Sequence, residues 1–218
     1  MIKLTDILRE NENPCWKGYR QVGMKTKNGK EVPNCVPINE SDDDAVADIY
    51  DYIEGGSKGD LNLMRSGLTE LPRDLEEVGG DLDISYSKVK RLPKNLKVKG
   101  RLFVGNSPLE ELPMGLEADS ISGSKSNISK ISQNIKINKS LYIPGSKIKK
   151  LPIGLKVKRR VGVEGSLLNE VPKGLQCYHF YMDKTPLAKQ FLEQDLDDDQ
   201  IHKLFKKNRC KVTHITWL

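Results

Sequence analysis

Apolar residues return to the same phase about every twenty positions through the middle of the chain. Leu71-Pro72, Leu92-Pro93, Leu112-Pro113, Leu151-Pro152 and Val171-Pro172 share one phase, and Ile131-Ser132 fills the gap, at steps of 21, 20, 19, 20 and 20 residues. Each is followed four positions on by Leu75, Leu96, Leu116, Ile135, Leu155 or Leu175, and then by Val78, Val98, Ala118, Ile137, Val157 or Cys177. Alternating pairs come next: Leu61/Leu63, Leu82/Ile84, Leu102/Val104, Leu141/Ile143 and Val161/Val163, with Ile121/Gly123 a weakened copy. Leu68, Val89, Leu109, Ile128, Ile148 and Leu168 close the units.

The alternating pair has the period of a short strand with two apolar residues facing a core. The Leu-Pro step turns the chain and holds it extended. No unit carries the ten to twelve residues of 3.6-residue period that a helix needs, so the back of each coil is expected to be irregular or extended. One such coil cannot bury enough apolar surface to order itself, so stacking on its neighbours must supply the rest. A second column supports this: Ser66, Ser87, Ser107, Ser126, Ser146 and Ser166 each precede the closing apolar residue by two positions. A short hydroxyl there satisfies backbone groups locally where the strand ends. As nucleophiles these serines lack a neighbouring base.

Residues 61–186 resemble leucine-rich repeats of the short bacterial type, whose unit is L-P-x-x-L-x-x-L-x-V-x-x-N-x-L. Ser replaces the usual Asn here, implying a shallower internal ladder. The resemblance implies a repeat solenoid, a leucine-rich-repeat horseshoe with a parallel sheet on its concave face, a mostly extended or irregular convex side and helical caps at both ends. It implies protein binding without naming a partner. Some bacterial effectors join such repeats to a ubiquitin-ligase domain with a catalytic cysteine. No segment here is long enough for that domain, and Cys210 lies eight residues from the last residue, so that activity is not expected.

Outside the repeats, residues 41–60 form an expected N-terminal helical cap. Asp42, Asp43 and Asp44 suit a helix start, Ala45, Val46, Ile49, Tyr50 and Ile53 make an apolar face, and Gly55-Gly56 ends it. Residues 187–218 form the C-terminal cap. It holds a short helix from Pro186, a second over 198–208 with Ile201, Leu204 and Phe205 inward, and a weakly alternating segment from Lys211 that reads as a strand. Phe180, Tyr181 and Met182 are in phase with a seventh repeat strand.

Residues 14–40 form a small β-hairpin module, with Tyr19–Lys25 and Glu31–Val36 flanking the turn pair Asn28-Gly29. Its run P-C-W-K-G-Y-R-Q-V-G-M-K, returning through V-P-N-C-V-P, is similar to a short module of tailed-phage proteins. Residues 1–13 form a leader and linker. M-I-K-L-T-D-I-L-R-E resembles the capsid-targeting leaders of internal head proteins of large tailed phages, where a prohead protease cuts after Glu. On that resemblance Leu8, Glu10 and Asn11 mark the cleavage site. On the residues alone this is an amphipathic segment with Ile2, Leu4, Ile7 and Leu8 on one side.

Composition narrows the chemistry. The 218 residues carry four cysteines and three histidines, with no C-x-x-C or H-E-x-x-H spacing, so no metal, cofactor or catalytic residue is expected. Cys15 and Cys35 supply only two ligands with no histidine near, and reduced thiols are expected. No apolar run is long enough to span a membrane or follows Met1 as a secretory signal. The net charge of +6 is uneven: residues 41–60 carry −6 and residues 91–180 carry +11. The latter points to a solvated lysine face or to polyanion or DNA proximity, although no aromatics interleave with the lysines.

The expected working surface is the concave face. Its middle column is Asn62, Asp83, Phe103, Ser122, Tyr142, Gly162 and Met182, and its entry column is Asp60, Asp81, Arg101, Ser120, Ser140, Arg160 and Phe180. Asp83, Arg101, Phe103, Tyr142, Arg160 and Met182 are the candidate partner-binding residues, because aromatic and Arg side chains most often anchor interfaces. The function expected is a non-catalytic, monomeric protein-recognition scaffold of phage origin, in the host cell cytoplasm. The alternative is an internal virion-head protein near packaged DNA.

Overall fold

The structure is a computed structural model that describes residues 19–27, 30–37 and 40–218. The leader residues Leu8, Glu10 and Asn11 lie outside the described residues, as do Cys15 and the side chain of Cys35. The chain divides into two compact units, residues 1–44 and 45–218. In the first, β1 (Tyr19–Lys27) pairs antiparallel with β2 (Lys30–Pro37). Lys27 faces Lys30, as the two-residue Asn-Gly spacing predicts, and the register slips once between Gln21 and Met24. Helix α1 (Glu40–Glu54) follows.

The second unit is a parallel-sheet solenoid of leucine-rich coils. Its strands are β3 (Leu61–Asn62), β4 (Glu77–Val78), β5 (Leu82–Asp83), β6 (Lys97–Phe103), β7 (Glu111–Leu112), β8 (Glu117–Ser122), β9 (Lys130–Ile131), β10 (Lys136–Tyr142), β11 (Arg160–Gly162) and β12 (Gln176–Tyr181). Helices α2 (Pro186–Glu193) and α3 (Asp198–Lys207) and strand β13 (Lys211–Thr216) complete it. One sheet runs β3-β5-β6-β8-β10-β11-β12-β13, with β4 paired to β6 and every pair parallel. Apart from this sheet, β7 and β9 make a small parallel pair that aligns Leu112 with Ile131.

Register explains the burial. Leu61, Leu82, Leu102, Ile121, Leu141, Val161 and Phe180 align across the sheet, and all are buried. The Leu-Pro, post-proline, pre-strand and closing columns predicted from the period are buried too, apart from the partly buried Ile135 and Val171. Gly123 replaces an inward side chain because its neighbours already occupy the space: a Cβ there would lie 2.6 Å from Val104 Cγ2.

Neighbouring coils complete each other's backbone bonding. Leu63, Ile84, Val104, Ile143 and Val163 each donate their N–H to the carbonyl of Asp83, Phe103, Ser122, Gly162 and Tyr181 on the next coil, at 2.7–2.9 Å. Two residues on, the chain adopts a left-handed conformation at Arg65, Tyr86, Asn106, Lys125, Gly145 and Gly165. A side chain there costs about 1–2 kcal/mol. Yet each of these N–H groups also bonds the next coil, from Ser85 O through Asp183 O, so the neighbour holds the turn. Ser87 Oγ and Ser107 Oγ donate to Ile84 O and Val104 O at 2.7 Å, the local satisfaction expected of the serine column, whereas Ser66, Ser126 and Ser146 Oγ are buried with no partner among the described residues.

That column has a seventh rung that the serine pattern did not include. Thr185 is buried, donates to Met182 O at 2.7 Å and accepts from Ala188 N at 3.1 Å. With Pro186 at the first helical position, the same site becomes the N-cap of α2. Asp197 and Gln200 form a capping box on α3, which buries Ile201 and Phe205. The last segment is a strand, and β13 rather than a helix occupies the sheet edge beside β12.

Two expectations need correction. Met182, expected to face solvent, is 0% exposed, as is Phe180. Val161 pairs with Phe180 and Gly162 with Tyr181, so the last step is 19 residues rather than 20. A one-residue shift moves every side chain to the other face. On α1, Tyr50 is exposed. Tyr52 packs inward instead, donating to Gly59 O at 2.8 Å and accepting from Gly79 N at 2.9 Å.

Ser107→Ala is expected to destabilise the fold by about 1 kcal/mol, as a bonded buried hydroxyl is lost. Ser126→Ala should be neutral or stabilising, because Ser126 Oγ is buried without a partner among the described residues. Urea unfolding of both variants measures the difference, and equal losses would contradict the assignment.

Candidate functional site

The solvent side of the sheet carries two aligned columns. Arg101, Ser120, Ser140, Arg160, His179 and His214 form one, and Asp83, Phe103, Ser122, Tyr142, Gly162, Tyr181 and Thr216 the other. The structure thus brings Arg101, Phe103, Tyr142 and Arg160 onto one face, and Tyr181 takes the place expected of Met182.

The acids at the N-terminal end serve the backbone. Asp60 Oδ1 accepts from Asp81 N at 2.7 Å, and Asp81 Oδ1 accepts from Arg101 N at 2.6 Å. These bonds need Gly80 and Gly100, where an added Cβ would lie within 2.2 Å and 2.1 Å of the carboxylate oxygens. Asp83 Oδ1 accepts from Ser85 N at 2.8 Å, closing its own turn. The Arg101 guanidinium carbon lies 5.3 Å from the Phe103 ring centre, and its Nε is 3.6 Å from Asp81 Oδ2. Ser120, Ser122 and Ser140 separate this pair from the aromatic end.

At that end the Tyr142 ring lies over Gly162, where a Cβ would be 2.5 Å from Cδ2 and 2.8 Å from Glu164 Oε2. Tyr142 remains 44% exposed. Glu164 Oε2 and Asp183 Oδ1 are buried with no hydrogen-bond partner among the described residues. Burial holds the Glu164 carboxyl above its ordinary range; a bond to its own backbone amide opposes this and the Asp183 charge adds to it. The Glu164 charge, then burial and Asp183, raises the Tyr142 phenol.

The last two strands add a cluster that the sequence reading missed. His179 and His214 pair in register with ring centres 4.6 Å apart, Tyr178 stands edge-on to both at 4.8 and 5.1 Å, and Tyr181 lies 5.6 Å from His179. Desolvation, His214 and Arg160 hold the His179 imidazole below its ordinary value. The two histidines are 35 residues apart, and only the β12–β13 pairing unites them. For Tyr181 the signal was available: the step from Ser166 to Thr185 is 19 residues.

Neither described thiol is placed as a nucleophile. Cys177 is a core residue whose thiol is pushed up to about 12, chiefly by burial. Cys210 Sγ donates to Pro172 O at 2.9 Å, and burial raises it also. No group of three or more His, Cys, Asp or Glu side chains among the described residues can hold a metal ion. No helix among them is long and apolar enough to cross a membrane.

No family model and no curated protein matches the chain. Among solved structures it is similar to the leucine-rich-repeat domain of a Shigella effector. The identity is 17% over 79% of this chain and 88% of that one, with a TM-score of 0.41. The solenoid rests on its own strand register.

Glu164 gives a pH prediction. A carboxyl whose folded-state pKa is raised is fully compatible with the fold below its unfolded value, and it loses that stabilisation as pH rises through the folded value. Glu164→Gln is therefore expected to melt above the unsubstituted protein at pH 7.5, with the gap closing below about pH 4. A variant that melts lower at pH 7.5 would contradict this.

Proposed function

We propose that the protein is a non-catalytic recognition scaffold whose sheet face docks a protein partner. The observation that carries this is the placement of Arg101 and Phe103 on β6, and of Tyr142, Arg160 and Tyr181 on β10, β11 and β12, on one face of a single sheet. Strands about 4.8 Å apart present these side chains at fixed intervals. Short serines between the two clusters leave a lower strip for a partner's side chains. Aromatic residues lose little conformational freedom on burial for the area they contribute, and Arg is enriched beside them in interface hot spots. In this reading the face is the concave side of the solenoid, and α1 with α2 and α3 covers the two open ends of its core.

The test is capture of binding partners by the immobilised protein and by Tyr142→Ala/Tyr181→Ala. A partner retained by the first and lost by the second, while circular dichroism of the two coincides, is the expected result. Equal capture by both would reject this face.

A further inference from the structure

A groove of about 780 Å³ runs along the flank where three successive coils return to the sheet, and it extends to β13. We infer that it docks an acidic peptide segment carrying aliphatic side chains, supplied by a partner protein. This surface lies beside the sheet face, meeting it at Tyr178 next to His179 and His214, and does not depend on the function proposed for that face.

The argument begins with where the basic excess goes. In the stretch 91–180, six cations are matched with an acid on an adjacent coil: Lys99 with Glu77, Arg101 with Asp81, Lys130 with Glu111, Lys136 with Glu117, Lys139 with Asp119 and Lys150 with Glu170. These six are a minority of the seventeen Lys and Arg in the stretch, so matching removes part of the basic field and leaves the rest displayed. The outward row on the flank shows where the matching stops. It runs Glu77, Lys97, Glu117, Lys136, Lys156, Gln176 and Lys211 across successive coils.

Acids alternate with lysines along this row as far as Lys136, and none follows. The lining of the groove begins at that change and contains four lysines, Lys136, Lys156, Lys158 and Lys211, with no Asp or Glu. Lys136 is held by Glu117 at 2.5 Å, whereas Lys156, Lys158 and Lys211 have no ion-pair partner among the described residues.

The second observation is apolar. Ile153 is 69% exposed and Tyr178 52% exposed, and both line the same groove. An exposed aliphatic side chain beside unmatched lysines suits a ligand that is both anionic and greasy. Gln133, Asn134 and Gln176 supply amides able to bond a peptide backbone. A nucleic-acid strand fits less well: stacking uses several rings, phosphate recognition favours Arg forks, and the groove has one tyrosine and no arginine.

The test is fluorescence anisotropy at low salt with the full chain and a short fluorescein-labelled peptide alternating Asp-Leu and Glu-Leu. Saturable binding is expected, weakened at least about tenfold by Lys156→Glu/Lys158→Glu. It should change less than about twofold with Lys88→Glu/Lys90→Glu, or with Tyr142→Ala/Tyr181→Ala. Should the Lys156/Lys158 variant fail to fold, Lys158→Ser, which removes one exposed charge, is expected to weaken binding about threefold. Absent binding, affinity unchanged by the groove substitutions, or an oligothymidylate bound more tightly than the peptide and lost with them would each overturn the inference.

Discussion

A coil of this chain cannot satisfy its own backbone. In the ordinary way a helix closes its hydrogen bonds within itself, but here the donors of one coil find their acceptors about twenty residues later. Leu63 bonds to Asp83, Ile84 to Phe103, and so on through Val163 to Tyr181. The left-handed turns at Arg65, Tyr86, Asn106 and Lys125 would be costly in an isolated loop, and the next coil holds each by a further bond. Apolar burial obeys the same rule, because the inward residues meet their neighbours along the stack. Stability is therefore a property of adjacent pairs of coils.

The same adjacency organises charge. Lysines in the middle of the chain read as a single basic field when counted along the sequence, yet the fold sets five of them beside an acid of an adjacent coil. Exposed pairs of this kind contribute little stability, about 0–1 kcal/mol each. Their larger effect is on which cations remain available: Lys156, Lys158 and Lys211 on the flank and Arg160 on the sheet face are among those with no acid partner in the described residues. Functional surface in such a protein is what the coil-to-coil matching leaves over.

Periodicity made the core legible. Columns of Leu, Ile, Val and Ser held in phase were enough to place strands, closing residues and hydroxyl rungs, because each column keeps the same place in every coil. Legibility failed where the period was not constant. A 19-residue last step put Met182 on the wrong face and hid Tyr181, although Thr185 in the serine column carried the same shortened step. On α1, Tyr50 and Tyr52 fall to either side of one helical face, and only the bonds from Tyr52 to Gly59 and Gly79 decide between them. The His179–His214 pair had no local signal, since it depends on a strand 35 residues away joining the sheet after two helices. The acids at Asp60, Asp81 and Asp83 looked like surface chemistry in the sequence, whereas their oxygens are committed to backbone amides.

Dependence of each coil on its neighbour, and on nothing more distant, is tested most directly by excision in phase and out of phase. Deleting residues 121–160 joins Ser120 to Val161, which stands in the register position of Ile121. Deleting only 121–130 removes half a coil and breaks every column. Thermal unfolding followed by circular dichroism should show a folded, shorter protein with one cooperative transition for the first deletion and no cooperative transition for the second. Collapse of the in-phase deletion, or equal tolerance of both, would contradict a solenoid built from adjacent coils.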